Sequence, residues 1–349
     1  MKILLVSPLP PPAGGIATWT VKYQNYCKEN DIALAIVNNA MHGTRALQST
    51  AKRCITDEIK RTFYVLAELK RKIKDEKPDI VHLNTPCFKY GIFRDLLCVT
   101  IAKRNRIPVV VHCRCNIQDQ IKGKLARSAF SIMVRKADKI LTLNQRSFAY
   151  ANCYAPGKVT VVPNYVETNS LSPRTEINQK IERVIYVGRV QKVKGAREII
   201  QAAGKLPWIE FNLIGSVEDD IKNSPLPPNV ILHGNQEHSF VLGFLEKSDI
   251  FLFPSYTEGF ANALTEAMAT GLPVITTDVG ANKEMIEEKG GIIVPVGDSD
   301  AVVDALHRLN ENTQLRKEMS IWNVEKVRTN YLQDAVMQKL LKIYKEVIT

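Results

Sequence analysis

The sequence contains no apolar run long enough to span a bilayer. Its N-terminal apolar stretch, Ile3 to Val6, is cut short by Ser7-Pro8, unlike the core of a signal peptide, so the expected location is the cytoplasm. Cysteine is missing from the second half of the chain. The seven present (Cys27, Cys54, Cys87, Cys98, Cys113, Cys115 and Cys153) form no C-x-x-C pair, and their number is odd. Neither a disulfide framework nor a zinc site is indicated, and Cys113 and Cys115, alternating along a strand end, read as buried thiols. No fixed-period repeat and no G-x-G-x-x-G occurs. Gly14-Gly15 opens a helix after the first strand, but the acid expected at the end of a second strand is replaced by Val37-Asn38-Asn39, which argues against a dinucleotide cofactor.

Acidic residues are scarce in the first half. Residues 1–165 carry 27 Lys+Arg against 11 Asp+Glu, a balance of +16, whereas residues 166–349 carry 20 against 25, a balance of −5. The first half is therefore the side that meets something anionic. Its cations come in helix-like clusters (Lys52 to Lys77, Lys103 to Arg106, Lys122 to Lys139) without interleaved aromatic stacking platforms, which disfavours nucleic acid. An anionic lipid surface at the inner face of the cell membrane, or a phosphate-bearing acceptor, fits better. A merely solvated basic face is the alternative.

A chain of 349 residues is expected to build two cores rather than one. Short apolar runs predict strands at Ile3 to Ser7, Ile32 to Val37, Asp79 to Leu83, Val109 to His112, Ile140 to Leu143 and Val159 to Val162. Helical stretches such as Ile16 to Lys28, Ile55 to Lys74 and Gln118 to Lys136 lie between them. After Pro163-Asn164 a polar linker is expected to about Lys180, and the alternation then restarts. Six more strands are expected at Val184 to Val187, Phe211 to Ile214, Val230 to Leu232, Ile250 to Phe253, Val274 to Thr276 and Ile292 to Val294, with final helices Gln314 to Val327 and Tyr331 to Val347. The fold class is α/β, with two doubly wound Rossmann-like domains, 1–165 and 166–330, whose strand ends open onto one central cleft.

The segment Pro254 to Glu266, PSYTEGFANALTE, sets two glutamates eight positions apart between a strand and a helix that stops at Gly271-Leu-Pro273. The N–H groups at the start of that helix suit an anion, Glu258 can accept hydroxyls from the loop, and Glu266 sits about one turn in. Nucleotide sugars, with phosphates between two polyol ends, have the matching shape. Arg189 and Lys194 follow a strand directly and can neutralise a leaving diphosphate without a metal, the alternative being two solvated loop cations. Asp298 and Asp300 spell an Asp-x-Asp, but they read as a helix N-cap, and no metal is expected.

The run EGFANALTEAMATGLPVITTDVG resembles the E-x7-E signature of retaining glycosyltransferases of the two-Rossmann-domain (GT-B) kind, specifically family 4. PLPPPAGGIATW, DIVHLN, PVVVHC, VVPNYVE and YVGRVQKVKG fall in that family's order, so the resemblance covers nearly the whole chain. It implies that Arg189 and Lys194 hold the diphosphate, Glu266 the ribose hydroxyls, and Glu258 the sugar. Backbone N–H groups of Gly259, Phe260, Ala261 and Asn262 would meet sugar and phosphate. Gly14 and Gly15 would let a helix start approach the donor, a plain turn being the alternative. The family often places a histidine where His112 ends its strand, beside the transferred sugar, though Cys113-Arg114-Cys115 departs from the usual followers and a structural His112 stays open. His82 also matches a family position but reads as buried. The last helix, 331–349, would cross back onto the first domain.

The expected activity is metal-independent, retaining transfer of a sugar, with no cofactor, from a nucleoside diphosphate sugar, UDP-sugar being favoured. The acceptor would be a glycan or lipid-linked hydroxyl in cell-surface polysaccharide, lipopolysaccharide or glycolipid assembly. A nucleotide-sugar 2-epimerase and a catalytically silent sugar-nucleotide-binding subunit are the other classes.

Overall fold

The computed structural model describes residues 1–11, 14–40, 55–88, 90–167, 173–174 and 176–349. Pro12, Ala13, Cys54 and the Lys52 end of the first basic cluster lie outside the described residues. Six strands form the first sheet: β1 (Lys2–Ser7), β2 (Ala33–Asn38), β3 (Ile80–Thr85), β4 (Val109–Cys113), β5 (Lys139–Thr142) and β6 (Val159–Val161). Their order is β2-β1-β3-β4-β5-β6, all parallel. The second sheet holds β7 (Arg183–Val187), β8 (Glu210–Ile214), β9 (Val230–Gly234), β10 (Ile250–Phe253), β11 (Val274–Thr277) and β12 (Gly291–Val294). It is also parallel, in the order β12-β11-β10-β7-β8-β9. Every expected strand is present.

The central strands read as continuous apolar runs because helices cover both of their faces, leaving no polar side to alternate toward. β3, β4 and β10 are buried at every position. The first core gathers Leu4, Val6, Val81, Leu83, Val109 and Val111 with Phe130 and Met133 from a covering helix.

The chain divides into Met1–Pro163 with Gln338–Thr349, and Asn164–Met337. The helix Gln333–Ile348 therefore begins in the second unit and ends in the first.

Two expectations are corrected. The single helix over Gln118 to Lys136 is two, Ile117–Gln120 and Lys124–Lys136, because the backbone leaves the helical region at Ile121 (φ −83, ψ 83) and the second helix starts only after Gly123, its N-cap, at φ 86. Of the polar stretch after Asn164, the described residues Arg174 and Asn178 are docked rather than free. Arg174 donates from Nη2 to the carbonyls of Leu245 and Glu246 at 2.7 and 3.2 Å, capping a helix C-terminus, and Asn178 donates to Asp249 at 2.8 Å. Asp249 also accepts from the backbone N–H groups of Glu182 and Arg183 at 2.8 and 2.9 Å, which fixes the start of β7 beside β10.

Candidate functional site

Three adjacent strands of the second sheet, β11, β10 and β7, deliver their C-terminal loops to one place. After β7 the chain turns through Arg189, whose carbonyl accepts from the Tyr186 hydroxyl at 2.8 Å. Burial first, and then the Glu258 carboxylate, raise the Tyr186 phenol above its ordinary range, so it stays a donor. The Arg189 side chain is exposed. One 3-10 turn, Lys192–Lys194, leads to Gly195 at φ 80 and the helix Ala196–Lys205. A Cβ on Gly195 would lie 2.2 Å from the Pro254 carbonyl oxygen, so only glycine lets this loop run against the end of β10.

The loop after β10 is bound to that turn. Tyr256 donates its N–H to the Val193 carbonyl at 3.1 Å. Lys194 donates from Nζ to the Thr257 carbonyl at 3.1 Å and to Glu258 Oε1 at 2.6 Å. The two side chains are only 17% and 12% exposed, so water screens this pair less than a surface one. From the loop after β11, Gly280 at φ 56 abuts the backbone of Glu258; a Cβ there would sit 2.4 Å from its carbonyl oxygen.

The helix Asn262–Ala269 starts at once, with Ala261 making no side-chain cap and no acid in the first turn. Its positive end is thus not neutralised by a carboxylate of its own first turn. Asn262 Oδ1 accepts from the buried Asn164 Nδ2 at 2.7 Å. Glu266, four residues on from Asn262, is half-buried. The Phe260 ring turns inward onto Tyr331, 5.6 Å between centroids, leaving backbone rather than side chain as its contribution. Asp298 accepts from the N–H groups of Asp300 and Ala301 at 3.1 and 2.9 Å and is the N-cap of Ser299–Glu311. Asn164, Thr257 and Gly280 were not foreseen. All three lie inside runs that the sequence marks, Asn164 in VVPNYVE, Thr257 in PSYTEGFANALTE and Gly280 at the end of EGFANALTEAMATGLPVITTDVG.

In the first unit, Gly14 caps the helix Gly15–Glu29 in extended backbone, and a Cβ on Gly14 or Gly15 would meet nothing within 4 Å. Among the described residues no protein contact requires glycine there. Below them, the Ser7 hydroxyl meets Thr20 Oγ1 at 2.6 Å and accepts from Asn84 Nδ2 at 2.9 Å. Cys113 is buried as expected, while Cys115 is half-buried.

His112 does not reach an open surface. It is fully buried, with the His82 ring 5.5 Å away and the Trp19 ring 6.0 Å away, and Arg114 Nη1 is 3.3 Å from its Nε2. The Arg114 guanidinium lies 4.3 Å over the Trp19 ring. His82 is buried too, its Nδ1 hydrogen-bonded to the Tyr344 hydroxyl. Burial and the Arg114 charge lower His82 to about 3 and hold His112 well below its ordinary range, with His82 adding to the latter.

Both imidazoles are therefore neutral in the fold but accept protons in the unfolded chain below about pH 6.5. The unfolded state binds more protons in that window, so stability is full above pH 6.5 and falls as the pH drops toward 3. The expected slope is about 1.4 kcal/mol per pH unit for each histidine. Denaturant titrations between pH 7 and 5, with Trp19 as sole tryptophan after Trp208→Phe and Trp322→Phe, read it directly. A flat midpoint across that range would show that the fold accommodates the charges.

The matching family models divide the chain between them. The model described as glycosyltransferase family 4 matches residues 13–170, and that described as glycosyl transferases group 1 matches 167–322. The capsular polysaccharide biosynthesis glycosyltransferase CapM of Staphylococcus aureus is 25% identical over 320 residues, 82% of this chain and 83% of that protein. The UDP-Gal:alpha-D-GlcNAc-diphosphoundecaprenol alpha-1,3-galactosyltransferase of Escherichia coli is 26% identical over 284 residues, 72% of this chain and 71% of its own length. Among solved structures, Anabaena HepE in complex with UDP superposes with a TM-score of 0.77 at 15% identity, over 99% of this chain and all of that one.

Proposed function

Because the chain is a family 4, group 1 glycosyltransferase of the GT-B fold, we propose that it moves a sugar from a UDP-sugar to a hydroxyl of a glycan or lipid-linked acceptor, retaining anomeric configuration and using no metal ion. The observation that carries this reading is the Lys194–Glu258 pair, 2.6 Å apart at the mouth of a helix with no cap of its own. A cation from the turn after β7 and a carboxylate from the loop after β10 meet beside the backbone donors of that helix start. Glu266 lies one turn further along the same helix.

In this mechanism Arg189 and Lys194 hold the diphosphate, and the helix N–H groups take its remaining oxygens. The leaving phosphate accepts the proton of the acceptor hydroxyl, which attacks on the same face, so configuration is retained without a carboxylate nucleophile below the ring. Charge that develops on the phosphate is met by groups already in place. UDP is favoured because HepE binds it and the Escherichia coli relative is named for UDP-Gal. The latter's diphosphoundecaprenol acceptor and the capsular role of CapM support a surface-glycan acceptor.

Glu266→Ala is expected to weaken UDP itself, whereas Glu258→Ala should spare UDP and hurt sugar transfer. Calorimetry with UDP separates them, and equal losses would reject the division of roles. Incubation with UDP-sugar alone tests the epimerase alternative, because an epimerase changes the sugar without acceptor and a transferase at most hydrolyses it slowly.

A further inference from the structure

Three helices, Ile55–Glu76, Gly91–Arg104 and Lys124–Lys136, pack side by side in the first unit. Each carries large apolar side chains on its exposed face at helical spacing: Ile59 with Phe63, Phe93 with Leu97, and Leu125 with Ile132. Phe63 is 71% and Leu125 78% exposed. Single exposed apolar residues are ordinary, but matched stripes on neighbouring helices form a surface that water solvates poorly.

The first helix mixes both signs, with Asp57, Glu58, Glu68, Asp75 and Glu76 among its six cations, whereas positive charge dominates the other two. Between residues 91 and 136 the only acids are Asp95 and Asp119. Asp95 is buried against Arg94 at 2.7 Å, and Asp119 accepts from Asn116 Nδ2 at 2.8 Å. Lys122, Lys124, Arg127, Arg135 and Lys136 are all exposed.

At the C-terminal ends of the first two helices lies an open cavity of about 630 Å³, floored by Ile73, Ile101 and Ile107 and rimmed by Lys70, Lys74, Lys77 and Arg104. None of these four cations makes an ion pair among the described residues.

We propose that this three-helix face is a docking surface for an anionic bilayer, with the cavity taking a phospholipid headgroup. The phosphate would meet the unpaired ammonium and guanidinium groups, and the glycerol end the isoleucines. Nucleic acid would satisfy the cations but has no use for Leu97, Leu125 and Ile132, which cannot act as stacking platforms yet partition into the acyl boundary. Each cation near such a surface adds attraction that fades beyond a Debye length of about 10 Å. Binding at this face is independent of the identity of the sugar donor.

Co-sedimentation of the full chain with phosphatidylglycerol-containing vesicles tests it, with phosphatidylcholine vesicles as reference. Binding is expected only to the anionic vesicles at low salt, and to fade as salt is raised. The exposed double variant Phe63→Ser/Leu125→Ser, and separately Lys70→Glu/Lys74→Glu, should each weaken it by on the order of tenfold or more. Thermal unfolding midpoints equal to the parent show that the variants fold. Equal behaviour toward both vesicle types overturns the proposal. So does competition by millimolar inorganic phosphate with no effect of the apolar variant, which would make the cavity a site for a soluble anion.

Discussion

Lys194→Ala is expected to lower turnover by a factor on the order of a hundred or more, and Arg189→Ala likewise, because in the proposed mechanism both cations stabilise charge that develops as the diphosphate leaves. EDTA should leave the rate unchanged. The two variants should differ in one respect. Arg189 is exposed, so its removal subtracts only its own charge. Lys194 is the ion-pair partner of the largely covered Glu258, so its removal also strands a carboxylate. If the pair acts as a unit, Lys194→Ala/Glu258→Ala should be little worse than the poorer single variant. Initial rates with a labelled donor decide this. Loss of activity on chelation, restored by Mg or Mn, would overturn the metal-free reading.

The second large effect is structural. Gly195→Ala places a Cβ 2.2 Å from the Pro254 carbonyl oxygen on a backbone at φ 80. A left-handed alanine costs roughly 1–2 kcal/mol and overpacking roughly 1–3, so a drop in the unfolding midpoint of about 10 °C is expected for a unit of this size. The loop must also move away from Pro254, which pulls Lys194 from Glu258. Gly14→Ala is the control, because its Cβ meets nothing within 4 Å on extended backbone. It should leave the midpoint unchanged. A Gly195→Ala protein with parental midpoint and rate would show that the two loops are not locked together.

Strands were legible because burial on both faces leaves β-branched runs that need no partner to be recognised: IVHLNT in β3 and VVVHC in β4 announce themselves. The break before Lys124 was not, since Gly123 signals its left-handed backbone only once the chain has turned. The glutamates of PSYTEGFANALTE could be placed on a loop and a helix from local spacing alone. What spacing could not give is the partner of Glu258, which is 64 residues away, on the turn after a strand that is adjacent only in the sheet order. His112 shows the reverse case. Its place at a strand end suggested access, but Arg114, Trp19 and His82 enclose it, and enclosure depends on elements brought together by the whole sheet.

The Tyr344 hydroxyl bonds to His82 and lies 3.2 Å from the Tyr23 hydroxyl, so a buried polar cluster of the first unit is completed by residues 338–349. On the ribosome that hydroxyl emerges only after the whole of Asn164–Met337 has been made. The N-terminal segment must therefore wait, with two imidazole and phenol groups lacking their last partner, while the intervening unit is synthesised and free to fold. The unit begun earliest is thus the last to have all of its residues available.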